Sequence, residues 1–437
     1  MRRIEILKIN EFQTIDVRPE LISENGQLLA FSDVLQKDYF QVSYRNGKVA
    51  LQARGYIGLI PINEYLTLDV RPKVPLANLE RILLLSGYSP VHLSRTDRTY
   101  SEHEYASSPI GIFLENSFLK YAEEIHERGL LKRYERRRET GFFPKGKIHF
   151  GHTARARSKA GTSLVAYEWQ ERHPDNIQNR IIKFLLQNIF ESSRISNNKA
   201  RKRNIAVCLS YFDQIKLVTP FEIFQEIQNM DAIHIPESKE HYRKTLHLAR
   251  LILLNKGLGF SSTNRNLILD SLILNLATAF EIYVRVTLED LAKRDDTISV
   301  FDGNKGGRRG KKPLLDKSSL ANFLGEEVPA TPDILIYHDI PGERSVNLVV
   351  EVKYKSVKNI VERDDLNQVV SYMASYGSIH SLLVLPSSSK ENLGLRCLGQ
   401  IDNKGVFQYF IDLKSPDIKN EEEKLKDAVI YLLTLSL

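Results

Sequence analysis

Residues 331–355, TPDILIYHDIPGERSVNLVVEVKYK, place two carboxylates and an ammonium among aliphatic side chains. Asp333 opens an apolar run, Ile334, Leu335 and Ile336. Pro341 and Gly342 signal a turn. Leu348, Val349, Val350 and Val352 make a second apolar run of strand character. Side chains alternate along a strand, so Glu351 and Lys353 share a face and Val352 takes the other. Charges within a run of valines are costly unless they serve each other or a metal. Asp333, at the mouth of the neighbouring strand, reaches the same spot. Two hard carboxylates suit Mg²⁺, which keeps its waters and accepts substrate phosphate oxygens. Such a metal acidifies a water and offsets charge on a phosphorane-like transition state. A lysine beside it orients the attacking water or stabilises developing charge. The competing reading is an ordinary hairpin with a surface salt bridge, and the short motif alone does not separate the two.

The segment after the second strand favours the chemical reading. Asp364 or Asp365 can cap a helix over DDLNQVVSYMA. Gln368 and Tyr372, at i and i+4, share one of its faces. Residues 381–385, SLLVL, read as a third core strand. The order P-D…E-x-K resembles the PD-(D/E)xK nuclease superfamily, and a Gln-x-x-x-Tyr helix directly after it resembles that superfamily's RecB-like branch. The resemblance implies that Asp333 and Glu351 are metal ligands, helped by the Val352 carbonyl, and that Lys353 is the catalytic lysine. It implies that Gln368 and Tyr372 line the site. Lys355, on the same face, can substitute for Lys353 or bind phosphate. Members of the superfamily often carry a glutamate on the preceding helix, which makes Glu281 a candidate third acid. The alternative for Glu281 is a pair with Arg285 at i+4.

The elements that position these residues belong to a chain of 437 residues, long enough for two or three domains with proper cores. We expect a multidomain α+β protein with three parts: a β-rich domain over 1–75, a mainly helical connecting region over 76–255, and a C-terminal α/β nuclease core over 256–437. In the first part, residues 40–44 and 49–53 flank an Asn-Gly turn, a strong hairpin signal. With strands near 4–9, 55–61 and 65–70 they predict a small barrel or meander. Helices are predicted over 76–85, 113–127, 175–191 with Asp175 as cap, 206–212, 241–254, 266–293 and 421–437, with a last strand over 407–413. The basic run 132–138, KRYERRR, reads as a solvated helix end, with phosphate contact as the alternative. Residues 197–203 read as a basic loop.

Residues 299–312, SVFDGNKGGRRGKK, read as a glycine-rich mobile loop. Its Lys305, Arg308, Arg309, Lys311 and Lys312 grip a DNA backbone or lie on a plain surface loop. The net charge of +7 leans toward polyanions. Two cysteines without a zinc motif, no secretory h-region and no run of about 18 apolar residues point to a cytoplasmic protein without a membrane span.

Three further stretches carry a family resemblance: GYIGLIPINEYLTLDVRPKVPLANLERIL from Gly55, RGLLKRYERRRETGFFPKGKI from Arg128 and DNIQNRIIKFLL from Asp175. With the C-terminal hairpin they resemble McrC, the nuclease subunit of McrBC-type modification-dependent restriction systems. The resemblance implies a Mg²⁺-dependent endodeoxyribonuclease acting on double-stranded DNA whose modification, of 5-methylcytosine type, is read by the partner. That partner is a hexameric AAA+ GTPase or ATPase of McrB type, which McrC docks on and stimulates. A Walker A motif is absent here, as expected if the motor is another chain. By the same analogy Arg45 and Asn46, at the hairpin tip, face the partner's pore. The rival readings are a stand-alone RecB-like or repair nuclease and a non-catalytic activating scaffold of an AAA+ ring.

Overall fold

The computed structural model describes residues 5–24, 27–35, 38–45, 48–87, 109–160, 163–193, 199–228, 235–236, 239–255, 273–306, 309–315, 328–339, 341, 345–355, 360–387 and 392–435. Contacts divide the chain into two units, residues 1–98 with 271–437, and residues 99–270. This division cuts across the expected three successive stretches, because the N-terminal strands pack on the C-terminal core.

The centre of the first unit is a six-stranded sheet. Its order is Ile298–Asp302, Ile334–His338, Val346–Val352, His380–Pro386, Lys404–Ile411, Gly394–Ile401. The first three strands pair antiparallel. Val346–Val352, His380–Pro386 and Lys404–Ile411 run parallel. A parallel pair needs a crossover, and the helix Arg363–Tyr376 supplies it. Its apolar side, Val369, Tyr372 and Met373, packs on Leu335, Val349, Leu383 and Phe410. Alternation sends Leu348, Val350, Leu382 and Val384, all buried, to the opposite face.

Two expectations for this core change. The predicted loop from residue 299 begins as a strand, because Ser299 to Asp302 alternate into register with Tyr337 to Ile334. Gly303 and Gly310 serve tight turns. A Cβ on Gly303 would meet the Pro332 carbonyl oxygen at 2.0 Å, and one on Gly310 the Lys305 carbonyl oxygen at 2.2 Å. The long helix starts at Leu276 rather than 266, since the Asn275 side chain accepts hydrogen bonds from the Ala277 and Thr278 amides at 3.0 and 3.2 Å and caps it. Ile273–Asn275 is a short strand on Tyr56–Pro61.

The N-terminal strands form two small sheets and a two-residue ribbon, Ser23–Glu24 with Gln27–Leu28. One runs Glu5–Asn10, Leu66–Arg71, Tyr56–Pro61, Ile273–Asn275, and its first pair is parallel, which a meander does not allow. The other is Thr14–Val17, Lys48–Ala53 and Phe40–Arg45, with the expected hairpin.

The second unit is not purely helical. Arg133–Gly141 and Lys147–Ile148 pair antiparallel with Val165–His173. The basic run is therefore a strand, held by cross-strand charge pairs such as Arg137 with Glu171 at 3.1 Å. Gly146, at φ +72°, leaves no room for a Cβ against the Glu168 carbonyl oxygen. The helix Ile177–Ser193 is capped by Asn176, which accepts from the Asn179 amide at 3.1 Å, while Asp175 binds Arg180. Lys199 to Arg203, expected as a loop, open the helix Lys199–Ser210, which the expected helix from 206 continues. Among the described residues no helix is long and apolar enough to cross a membrane.

Candidate active site

The site forms where Ile334–His338 begins and Val346–Val352 ends. Antiparallel pairing sets Ile334 opposite Val350. That register brings Asp333 beside the strand end carrying Glu351. The Asp333 carboxylate accepts from the Val352 amide at 2.7 Å, and the Asp333 amide lies 3.4 Å from Glu351 Oε2. Glu351 is 2% exposed. Lys353 Nζ donates to Glu351 Oε1 at 2.8 Å and to Gln368 Oε1 at 3.0 Å. Gln368 Nε2 in turn donates to Tyr372 Oη at 3.2 Å. The two acids, the lysine and the Gln-Tyr helix face thus form one connected hydrogen-bond chain.

Negative charge is crowded here. Burial raises the pKa of Asp333 to about 8, with the charges of Glu351 and Glu281 adding to it and the Val352 amide opposing. Burial also raises Glu351, against the pull of Lys353. Glu281 is raised by burial, then by Asp302 and Glu351. Burial works against the Lys353 ammonium, but Glu351 and its hydrogen bond outweigh it, and the lysine's pKa rises. Lys353 is therefore a proton-holding donor.

Glu281 is electrostatically part of the cluster. Arg285, the partner in the alternative reading of Glu281, instead pairs with Asp302 and lies 4.0 Å from Glu289. Asp302 was hidden from sequence reasoning, because residues 299–312 read as a loop and no motif includes it. Among the described residues no group of three or more His, Cys, Asp or Glu side chains is placed to hold a metal ion. The donor set nonetheless fits Mg²⁺, which takes one or two carboxylates and leaves its other positions to water and phosphate. The upward shifts of Asp333 and Glu351 come first from burial, which a bound cation would offset by favouring their charged forms.

Lys355 turns away from the lysine role. It pairs with Glu362 at 2.9 Å and with Asp365, tying the strand end to the first turn of the Gln-Tyr helix. Asp365 is thus a strap, and Glu362 is the N-cap residue, with no side-chain cap bond in place of the predicted Asp364 or Asp365 cap. Of the basic residues beyond Asp302, Arg309 pairs with Asp339 and lies over the Tyr337 ring at 4.7 Å. Lys312 lies over the Tyr376 ring at 4.4 Å and donates to the Ser375 carbonyl. Both side chains have partners within the fold. Lys305 and Lys311 are exposed. Arg308 and Asn46 lie outside the described residues, as does the Arg45 side chain.

No curated protein is similar enough in sequence to count as a match. Among solved structures, the chain resembles one described as a refined half-complex from a tetradecameric assembly of Thermococcus gammatolerans McrB AAA+ hexamers with bound McrC. The TM-score is 0.54 at 16% identity, covering 97% of this chain and 100% of that one. A cryo-EM structure of the Thermococcus gammatolerans McrBC complex matches at TM-score 0.41 and 15% identity, covering 65% and 87%. At these identities the first likeness speaks for a shared fold alone. A family model described as McrBC 5-methylcytosine restriction system component matches residues 51–386, well over half of the sequence, and the chain belongs to that family.

Proposed function

We propose that this chain is a Mg²⁺-dependent DNA endonuclease of the PD-(D/E)xK type, working as the cleaving subunit of a modification-dependent restriction complex. The observation that carries the reading is the connected set Asp333, Glu351, Lys353, Gln368 and Tyr372 at a strand end. Asp333 and Glu351 would hold the metal, with Glu281 adding negative charge beside them. When bound, Mg²⁺ supplies Lewis-acid polarisation of the scissile phosphate. An ammonium has three N–H donors. Lys353 spends two of them on Glu351 and Gln368, which aims the third toward an attacking water or a phosphate oxygen. Gln368, fixed by Tyr372, sets that aim.

The partner in this reading is a McrB-like AAA+ hexamer, since the solved complexes pair McrC with McrB. Its NTP hydrolysis licenses cleavage, and Arg45 and Asn46 remain candidates for contact with it. Exposed Lys305 and Lys311 are candidates for contact with the DNA backbone. The test is plasmid cleavage with Mg²⁺, by the chain alone and with its AAA+ partner plus NTP, on methylated and unmethylated DNA, beside Asp333→Ala. Cutting that needs partner and NTP and vanishes in the variant is expected. Cutting by the chain alone would replace the complex with a stand-alone nuclease. No cutting, with partner hydrolysis still stimulated, would leave an activating scaffold.

A further inference from the structure

Between Lys353 and Lys355, the Tyr354 side chain packs against a separate set of residues. Its ring lies 5.8 Å from Phe12 and 5.4 Å from Phe280. Its hydroxyl donates to Glu11 Oε1 at 3.1 Å. Burial, and then the Glu11 charge, hold the phenol protonated well past its ordinary range, so the donor persists. Glu11 is fully buried and its Oε1 also accepts from the Lys73 amide at 2.6 Å. Phe12, the next residue, sits at φ +59° without being glycine, a costly conformation that persists only where its surroundings enforce it. The strand itself ends at Val352, and beyond it Lys353 keeps one backbone bond, to the Val384 carbonyl at 2.9 Å. On the far side of Lys353 the backbone is held by the buried Tyr354 and by the Lys355 pairs with Glu362 and Asp365.

We propose that Glu11 is a positioning residue for Lys353, acting through the buried Tyr354 hydroxyl, so that the N-terminal sheet sets the aim of the catalytic ammonium. This rests on the nuclease reading for its consequence, although not for its geometry. The same N-terminal segment reaches the other wall of the site. Gly55 accepts from the Leu276 amide at 2.9 Å, at the start of the helix that carries Phe280 and Glu281. A movement of the Glu11–Phe12 turn would therefore be felt at Lys353 and at Glu281 together.

The test uses the full chain and two readouts. The first is the rate at which an amine-reactive reagent labels Lys353 at fixed pH, read by mass spectrometry, with Lys424 as internal reference. Tyr354→Phe and Glu11→Ala should speed labelling of Lys353 at least fivefold relative to Lys424, and Glu11→Gln, which keeps an acceptor oxygen, should restore slow labelling. The second is DNA cleavage with the AAA+ partner and NTP. The first two variants should lose at least tenfold in kcat with KM for DNA unchanged, and Glu11→Gln should recover most of it. Unchanged Lys353 labelling in folded Tyr354→Phe and Glu11→Ala would overturn the proposal whatever the cleavage result. So would labelling of all lysines rising together, which is general loosening. A labelling response of the expected kind in a wild type that never cuts DNA would uphold the positioning and overturn the nuclease reading.

Discussion

Asp333 holds its proton more tightly folded than unfolded, and the sign of the consequence is definite. Its folded pKa is about 8, against about 3.9 for a free aspartate. The folded, metal-free chain binds the extra proton between those values, so the contribution of Asp333 to stability is full below about pH 4 and is lost as pH rises through about 8. A divalent cation reverses the decline, because it takes the place of the protons. Mg²⁺ should therefore raise Tm more at pH 8 than at pH 6, by on the order of a few degrees. Asp333→Asn should abolish cleavage, flatten this pH dependence and stabilise the metal-free chain at pH 8. Differential scanning calorimetry across pH decides it, and a variant with the wild-type profile would sink the argument. Lys353→Met works in the opposite sense. It leaves Glu351 buried without its partner, and breaking such a pair costs about 3–5 kcal/mol when the remaining charge stays. Protonation of Glu351 relieves that cost, so the deficit in urea unfolding should shrink from pH 8 to pH 5. An equal deficit at both would mean that Lys353 packs rather than neutralises.

At the scale of elements, Gly303 shows how a turn places a catalytic candidate. Its amide donates to the Asp333 carbonyl at 3.3 Å, and the Pro332 carbonyl oxygen sits where a Cβ would go. Gly303→Ala must push the segment leading into Asp333 away. Cleavage should fall at least tenfold, and Mg²⁺ should raise Tm less than in wild type. Full activity with a normal Mg²⁺ response would show that the turn does not set Asp333. This turn also marks where sequence reading ran out. The hairpin, the helix Arg363–Tyr376 and the strand His380–Pro386 were legible because each has one dominant period and a distinct apolar side. Gln368 and Tyr372 were legible because i,i+4 spacing on a helix is unambiguous. Asp302 and the strand Ile298–Asp302 were not, since short strands next to glycines have too few alternations to register. The partners of Lys355 were hidden for a related reason. Its ion pairs are with Glu362 and Asp365, seven and ten residues on, and no period foretells them. The run 132–138 misled because charge density resembles a helix surface until its pairing partner, Val165–His173, is known.

At the scale of the whole chain, the N-terminal and C-terminal segments of the first unit are one folding body. Ile273–Asn275 completes the N-terminal sheet. Asn78 Nδ2 donates to the Leu413 and Ser415 carbonyls, both at 2.8 Å. Arg81 makes two parallel hydrogen bonds to Glu422, at 2.7 and 2.6 Å, and Tyr283 Oη donates to the same carboxylate at 2.8 Å. Glu422 is nearly buried, so losing Arg81 leaves a carboxylate without its main counter-charge. A fragment of residues 271–437 carries the whole six-stranded sheet and every proposed metal ligand, yet it lacks Asn78, Arg81, the strand Tyr56–Pro61 and the Glu11–Phe12 side of the wall around Tyr354. It should therefore fail to unfold cooperatively or to cut DNA on its own. Supplying residues 1–98 as a separate chain should restore both, since the contacts are side-chain and backbone pairings that do not require covalent continuity. The measurement is thermal unfolding by circular dichroism of the fragment alone and of the mixture, with cleavage assayed in parallel beside the AAA+ partner. A fragment that melts sharply by itself would separate the nuclease core from the N-terminal sheets. It would make the Glu11–Tyr354 link an ornament of the fold, whereas rescue by residues 1–98 makes the N-terminal sheets part of the catalytic body.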